Sequence, residues 1–163
     1  MKLDPTDLRI LQLLQKDGRM TFQDLAQRVS LSSSPCLTRV HRLERAGVIK
    51  GYSAQIDISK IRPHFEALAE ISLVQQGNHR QSAFIQHLQT LPALLELLEI
   101  SGRSDYMARF GCSSLGEYRE LVEALIENPT LGVANITSHI VMRTLVSFDE
   151  YNLTPLIESR DEE

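Results

Sequence analysis

Thr21-Phe22-Gln23-Asp24-Leu25-Ala26-Gln27-Arg28-Val29-Ser30-Leu31-Ser32-Ser33-Ser34-Pro35-Cys36-Leu37-Thr38-Arg39-Val40-His41-Arg42-Leu43-Glu44-Arg45-Ala46-Gly47-Val48-Ile49-Lys50 is the stretch on which the fold turns. Asp24 to Val29 has the pattern of a short amphipathic helix, Ser30-Leu31-Ser32 that of a turn, and Ser33 to Ala46 that of a second helix, stopped by Gly47. Val48 to Tyr52 then reads as a strand. Two helices about a tight turn, followed by a β-wing, are the layout of a winged helix-turn-helix, which lays its second helix in the DNA major groove.

The second helix carries the chemistry. At 100° per residue Cys36, Leu37, Val40, Leu43 and Ala46 share one side. Pro35, Thr38, Arg42 and Arg45 lie opposite, with Arg39 and His41 on the flanks. An apolar side toward the domain and a cationic side outward is what groove docking needs. Ser32 is expected to cap the helix through its hydroxyl, and Pro35 is tolerated in the first turn. The residues expected at DNA are Thr21, Ser33, Ser34, Pro35, Thr38, Arg39, His41, Arg42, Arg45 and Lys50. Arg42, near the centre of the outward face, is expected to read a guanine edge. Arg39 and Lys50 are expected at phosphates, with an ion pair to an acidic neighbour as the alternative for Arg39. Seen alone, the helix could be an ordinary surface helix with solvated arginines. The preceding helix, the turn and the wing argue against that.

The distribution of charge fits. The whole chain of 163 residues has a net charge of −4. Up to Tyr52 there are nine Lys and Arg against five Asp and Glu, and after it eight against sixteen. A basic front and an acidic back suit a DNA-binding module joined to something that does not touch DNA. No apolar run approaches the ~20 residues of a membrane span. Met1-Lys2-Leu3-Asp4-Pro5 leads directly into a capped helix, so no signal peptide and a cytoplasmic, nucleoid-associated location are expected. Cys36 and Cys112 form no C-x-x-C pair and are expected to be small buried hydrophobes. His41, His64, His79, His87 and His139 lack metal-ligand spacing, and no phosphate loop or nucleophile elbow appears. Neither cofactor nor metal is expected.

Along the chain, Asp4 is the expected N-cap of a first helix, with Pro5 at its first position and Asp7 favouring its positive end. Leu8, Leu11 and Leu14 repeat at helical spacing. Residues 1–58 make the winged helix-turn-helix, 59–64 a linker, 65–150 a second domain and 151–163 a tail, whose acidic end from Glu158 is expected to be disordered. In the second domain Ala67 to Val74 reads as a strand, Gln75 to Asn78 as a loop, and Gln81 to Thr90 as a helix. Leu94 to Ser101 reads as a strand, although its leucines also suit a helix. Gly102 to Asp105 makes a hairpin turn into strand Tyr106 to Phe110. Ser114 to Ile126 is a helix with a capping box at Ser114 and Glu117, and Val133 to Phe148 is a long strand. This β-α-β-β-α-β order is ferredoxin-like, so the fold class is α+β. One face of such a sheet is left for solvent or a second copy. Its Leu-, Ile- and Val-rich strands predict at least a dimer.

Leu3-Asp4-x-x-Asp7-x-x-Ile10-Leu11, Gln15 to Arg19, Leu31-Ser32-x-x-Pro35-Cys36-x-x-Arg39-Val40-x-Arg42-Leu43-Glu44 and Gly47-Val48-Ile49-x-Gly51-Tyr52 together resemble the N-terminal signature of the Lrp/AsnC, or feast/famine, regulators. The likeness is strongest to the leucine-responsive branch, and Gly102-x-x-Asp105-Tyr106 resembles the mark of the family's second domain. The resemblance implies dimers joining into octamers or similar rings. It also implies a small effector, usually an amino acid, held between dimers. Gly102, Arg103, Ser104, Asp105 and Tyr106, with Thr137, Ser138 and His139 on the facing strand, are then expected to line that site. A carboxylate can meet an ammonium group, and backbone N–H groups or Arg103 a carboxylate. The alternative is that Gly102 and Asp105 only make a hairpin turn. Arg103-Ser104 departs from the apolar or aromatic residue often seen in this turn, and Asn128 to Val133 is longer than the family's usual link.

Three functions compete on this evidence. One is a transcription regulator of double-stranded DNA that responds to an amino acid. The second is an architectural nucleoid protein without an effector. The third, an enzyme with a ferredoxin-like regulatory domain, has no nucleophile–base pair or metal cluster to support it.

Overall fold

The computed structural model describes residues 2–74, 78–148 and 150–161. The chain forms two compact units: Met1–Gln55 with Val146–Glu163, and Ile56–Leu145.

The first unit holds helices α1 (Pro5–Lys16), α2 (Phe22–Arg28) and α3 (Ser33–Arg45). Each start has a local cause. Asp4 and Asp7 form a capping box at α1, each side chain accepting the other's backbone N–H at 2.8 and 3.0 Å. Thr21 caps α2 by accepting the Asp24 N–H at 3.1 Å. At α3 the expectation fails. Ser32 occupies the cap position, but its hydroxyl makes no capping hydrogen bond. Ile10, Leu25, Ala26, Val29, Cys36, Val40 and Leu43 form the core. The inner stripe of α3 is therefore Cys36, Val40 and Leu43, with Leu37 half-buried and Ala46 exposed. Both cysteines are free and buried, as expected.

After α3 the chain passes Gly47 and Gly51, at φ +70° and +154°, without forming a strand between Val48 and Tyr52. The segment bends at Val48 and Ile49, whose N–H groups donate to the Leu43 carbonyl, and is held in part where Tyr52 donates to Glu44 at 3.1 Å and packs its ring against Gly18.

The C-terminus corrects another expectation. Residues 158–161, read from sequence as disordered, continue helix α6 (Thr154–Asp161), which packs on α1. Gln15 exchanges two hydrogen bonds with the Tyr151 backbone, at 2.9 and 3.3 Å, and Gln12 donates to Thr154 at 3.3 Å. Lys16 pairs with Glu150, and Ile157 is buried. Glu158 to Glu163 reads as solvated because its charges dominate; the apolar anchor, Ile157, comes one residue earlier.

The second unit is an antiparallel sheet in the order β2-β3-β1-β4, from β1 (Phe65–Leu73), β2 (Leu94–Glu99), β3 (Tyr106–Cys112) and β4 (Val133–Ile140). Helices α4 (Asn78–Gln89) and α5 (Leu115–Glu127) complete the ferredoxin-like order. Of the loop expected at Gln75 to Asn78, residues 75–77 lie outside the described residues and Asn78 begins α4. Alternation sets the faces. Ala67, Ala69, Ile71, Tyr106, Ala108 and Phe110 pack with Phe84 and Leu88 of α4 and Tyr118 and Leu125 of α5. Glu66, Leu68, Glu70, Met107 and Arg109 alternate with them and are half-buried on the other face. There His64 lies so close over Gly111 that a Cβ at that position would meet its ring at 2.7 Å. The Ser114–Glu117 box forms with one change: Ser114 accepts the Glu117 N–H, while Glu117 reaches Ser113 at 2.8 and 2.5 Å. The strand expected to run to Phe148 stops at Ile140. Met142, Leu145 and Val146 beyond it are strongly exposed, so their alternation did not record burial in a sheet.

If α6 stabilises the first unit as its packing indicates, Ile157→Ala should lower that unit's stability by about 2 kcal/mol. Urea denaturation followed by circular dichroism measures this. An unchanged midpoint would show that α6 does not pack on α1 in solution.

Candidate DNA-reading surface and effector turn

Asp7 organises the outward side of α3. It is wholly buried, the one buried charged side chain among the described residues. Its Oδ2 accepts the Asp4 N–H and a bond from Arg42 Nη2 at 2.5 Å, and its Oδ1 accepts from Arg39 Nη1 at 2.8 Å. Arg39 Nη1 also reaches Asp4 Oδ2 at 2.5 Å. Burial works to raise the Asp4 carboxyl, but the Arg39 bond and the Asp7 N–H outweigh it and hold it below its ordinary value. The bonds to Asp4 and then Asp7 hold the Arg39 guanidinium above its own.

These bonds revise the roles expected of the two arginines. Arg39 turns back into the protein with its side chain 29% exposed and pairs with Asp4 and Asp7, the acidic neighbours that its alternative role called for. Arg42 is 44% exposed and commits one nitrogen, Nη2, to Asp7. It is thus a tethered donor, where sequence suggested a free one. With Ser34, Pro35, Thr38 and Arg39 it lines an open depression along α3.

The other expected residues are exposed: Thr21, Ser33, Ser34, Pro35, Thr38, His41, Arg45 and Lys50. Their groups are partly spoken for. Thr38 donates to the Ser34 carbonyl at 3.0 Å, and Arg45 Nε to the His41 carbonyl at 3.2 Å. Thr21 donates to Asp24, and the His41 ring meets Phe22 edge-on, with centroids 6.4 Å apart. Asp7 was missed as a site residue, although its signal was present. At 100° per residue it falls inside the stripe of Leu3, Ile10 and Leu14, and a carboxylate on a buried stripe needs a cation.

The residues expected around the effector do not all converge. Gly102 turns the β2–β3 hairpin at φ +136°, with open space where a Cβ would stand. Arg103 is exposed. Asp105 is engaged with its own hairpin and with the neighbouring strand β1. Its carboxylate accepts the Leu73 N–H at 2.8 Å, its N–H donates to Ile71 at 3.0 Å, and its carbonyl accepts from Ile100 at 2.9 Å. Tyr106 points into the core beside Phe84, its phenol raised by burial and then by Glu99 and Asp105. Ser138 also faces the helices, bonded to the Tyr118 hydroxyl at 2.6 Å. Ser104 and His139 do meet, through a residue that sequence did not single out. Glu70 accepts from Ser104 at 3.4 Å and contacts His139 Nε2 at 3.2 Å. Thr137 pairs in register with Glu70.

Two family models match the chain: "Winged helix-turn-helix DNA-binding" over residues 3–50 and "Lrp/AsnC ligand binding domain" over residues 66–151. The chain is 32% identical over 145 residues to the transcriptional regulatory protein DoeX of Halomonas elongata, covering 89% of this chain and 91% of that one. It is 36% identical over 141 residues to the leucine-responsive regulatory protein of Escherichia coli, covering 86% and 85%. Among solved structures it is similar to a transcriptional regulator of Neisseria meningitidis in complex with L-methionine. The TM-score is 0.87, with 28% identity over 95% of this chain and 99% of that one. A feast or famine regulatory protein of M. tuberculosis complexed with L-methionine gives a TM-score of 0.80, at 27% identity over 92% and 99%.

The Asp4–Arg39 pair predicts a pH signature. A carboxyl lowered by folding stabilises the folded state fully above its unfolded value of about 3.9, and that contribution is lost as pH falls through the lower folded value. Asn keeps the cap but not the charge. The stability gap between the native protein and Asp4→Asn should therefore be constant above about pH 5 and close as the solution is acidified. Denaturant titrations from pH 7 to 2 test this. A gap independent of pH would make Asp4 a cap alone.

Proposed function

The chain belongs to the Lrp/AsnC family of transcription regulators, and on that footing we propose that it binds operator DNA through α3 and answers to an amino acid. The observation that carries the DNA half is the division of α3. Cys36, Val40 and Leu43 are buried, while Ser34, Pro35, Thr38 and Arg42 line an open, partly cationic depression. Arg42 reads a base edge from its tether on Asp7. Arg45 and Lys50, both exposed, meet phosphates. Two such helices in a dimer call for a pseudo-palindromic operator with half-sites spaced by whole helical turns.

The effector half rests on the family's ligand-binding domain and on the two L-methionine complexes among similar structures. The hairpin Gly102–Ser104, with Glu70, Thr137 and His139, supplies the polar groups that remain on one side of the sheet. The half-exposed face carrying Leu68, Leu98 and Met107 docks a second copy, and dimers join into an octamer or similar ring. The protein acts in the cytoplasm, at the nucleoid.

Fluorescence anisotropy against a duplex selected by the full-length protein from a random pool tests the DNA half. Arg45→Ala and Lys50→Ala should each weaken selected and scrambled duplexes alike and reduce the salt slope by about one. An unchanged slope would remove both from the interface. A thermal-shift screen of the amino acids tests the effector half, since a ligand at 100 times its Kd stabilises the native state by about 2.7 kcal/mol. If no amino acid moves the transition, the effector half fails.

A further inference from the structure

Asp7 lies behind the DNA-reading surface, where a contact with DNA is denied to it. It is fully buried, yet its carboxylate takes three donors, two of them guanidinium nitrogens from the recognition helix. A cap needs only the Asp4 N–H. We infer that Asp7 is a positioning residue for sequence recognition: it fixes Arg42 as a pre-aimed donor and withholds Arg39 from non-specific contact with phosphates. The inference rests on α3 being the DNA-reading helix and deepens that assignment.

The geometry separates this role from ordinary helix support. Arg42 gives Asp7 one of its three guanidinium nitrogens, remains nearly half exposed, and lines the depression with Ser34, Pro35, Thr38 and Arg39. A guanidinium already held at one end loses less side-chain freedom on meeting a guanine than a free one does. Arg39 is held by two carboxylates, Asp4 and Asp7, and is the more buried of the pair. Without the Asp7 charge Arg42 becomes a mobile cation, Arg39 keeps only its bond to Asp4, and the surface gains one positive charge. Phosphate binding then strengthens for every sequence, because it depends on charge and counterion release. Guanine readout, which depends on aim, weakens.

Specific and non-specific affinity should therefore move in opposite directions, which loss of structure cannot produce. The variant is Asp7→Asn, which keeps the shape and removes the charge that holds the two guanidinium groups. The probes are the duplex selected by the native full-length protein and a scrambled duplex of equal length. For Asp7→Asn the scrambled duplex should bind more tightly, with a salt slope steeper by about one, while the ratio of selected to scrambled affinity drops about tenfold or more. In an Arg42→Ala background, Asp7→Asn should cause little further loss of that ratio.

Four results overturn the inference. Affinity for both duplexes could fall by the same factor with a lowered Tm, which would make Asp7 a structural support only. The ratio could survive in Asp7→Asn, or fall as far in the Arg42→Ala background as in the native one, so that Asp7 does not act through Arg42. A native protein that fails to prefer its selected duplex sinks the inference together with the DNA-reading assignment, whereas native preference retained by Asp7→Asn sinks the inference alone.

Discussion

A carboxylate taken out of water needs compensation, because an unpaired buried charge costs several kcal/mol even after the protein relaxes. Asp7 is in that position, and its compensation comes from α3. The requirement fixes how α1 and α3 meet. The capping box holds Asp7 at the first turn of α1, and the two guanidinium groups must reach it from one turn of α3. Cys36, Val40 and Leu43 then face the core, and Ser34, Pro35 and Thr38 are turned outward. A greasy interface alone would tolerate some rotation of α3 about its axis, whereas two directional bonds from α3 to one carboxylate allow little. α6, clasped to Gln12 and Gln15 of α1, braces the same helix from another side.

The sheet unit uses its polar groups in a similar way. Asp105 ties the hairpin to the end of β1, with its carboxylate on Leu73 and its N–H on Ile71. Tyr106 plugs the core beside Phe84. The mark Gly102-x-x-Asp105-Tyr106 is thus in large part a device for building a hairpin of defined shape, with Gly102 supplying a backbone conformation that other residues rarely adopt. The groups left over, Ser104, Glu70 and His139, form a small polar cluster on the half-exposed face. A ligand assigned to this side meets a turn whose shape is already set.

What was legible in the sequence follows the range of the signals. Helix starts were readable where a cap and its partner lie three residues apart, as at Asp4–Asp7, Thr21–Asp24 and Ser114–Glu117. The strands around 67–73 and 106–110 were readable from flanking turn residues and alternation. The family motifs led to the right family and fold. Besides the missing wing strand and helix α6, three features escaped. Ser32 has the right chemistry for a cap and makes no bond, because residue type alone does not orient a hydroxyl. The partly apolar segment from Val141 to Phe148 resembles a strand but is strongly exposed at several positions. The partners of Asp7 lie 32 and 35 residues away, and those of Glu70 34 and 69, so no local window pairs them. Asp7 came closest to discovery, since a carboxylate on an apolar stripe announces that it needs a cation without saying which.

The most direct test of this account is the rotation of the two guanidinium groups, observed by 15N NMR of the arginine side chains at neutral pH. With both arginines held on Asp7, Arg39 and Arg42 should show slow rotation about their Nε–Cζ bonds and separate Nη resonances, with through-bond couplings to the Asp7 carboxylate. Single averaged Nη signals, like those of freely rotating surface arginines, would show that Asp7 does not hold them and would contradict the account.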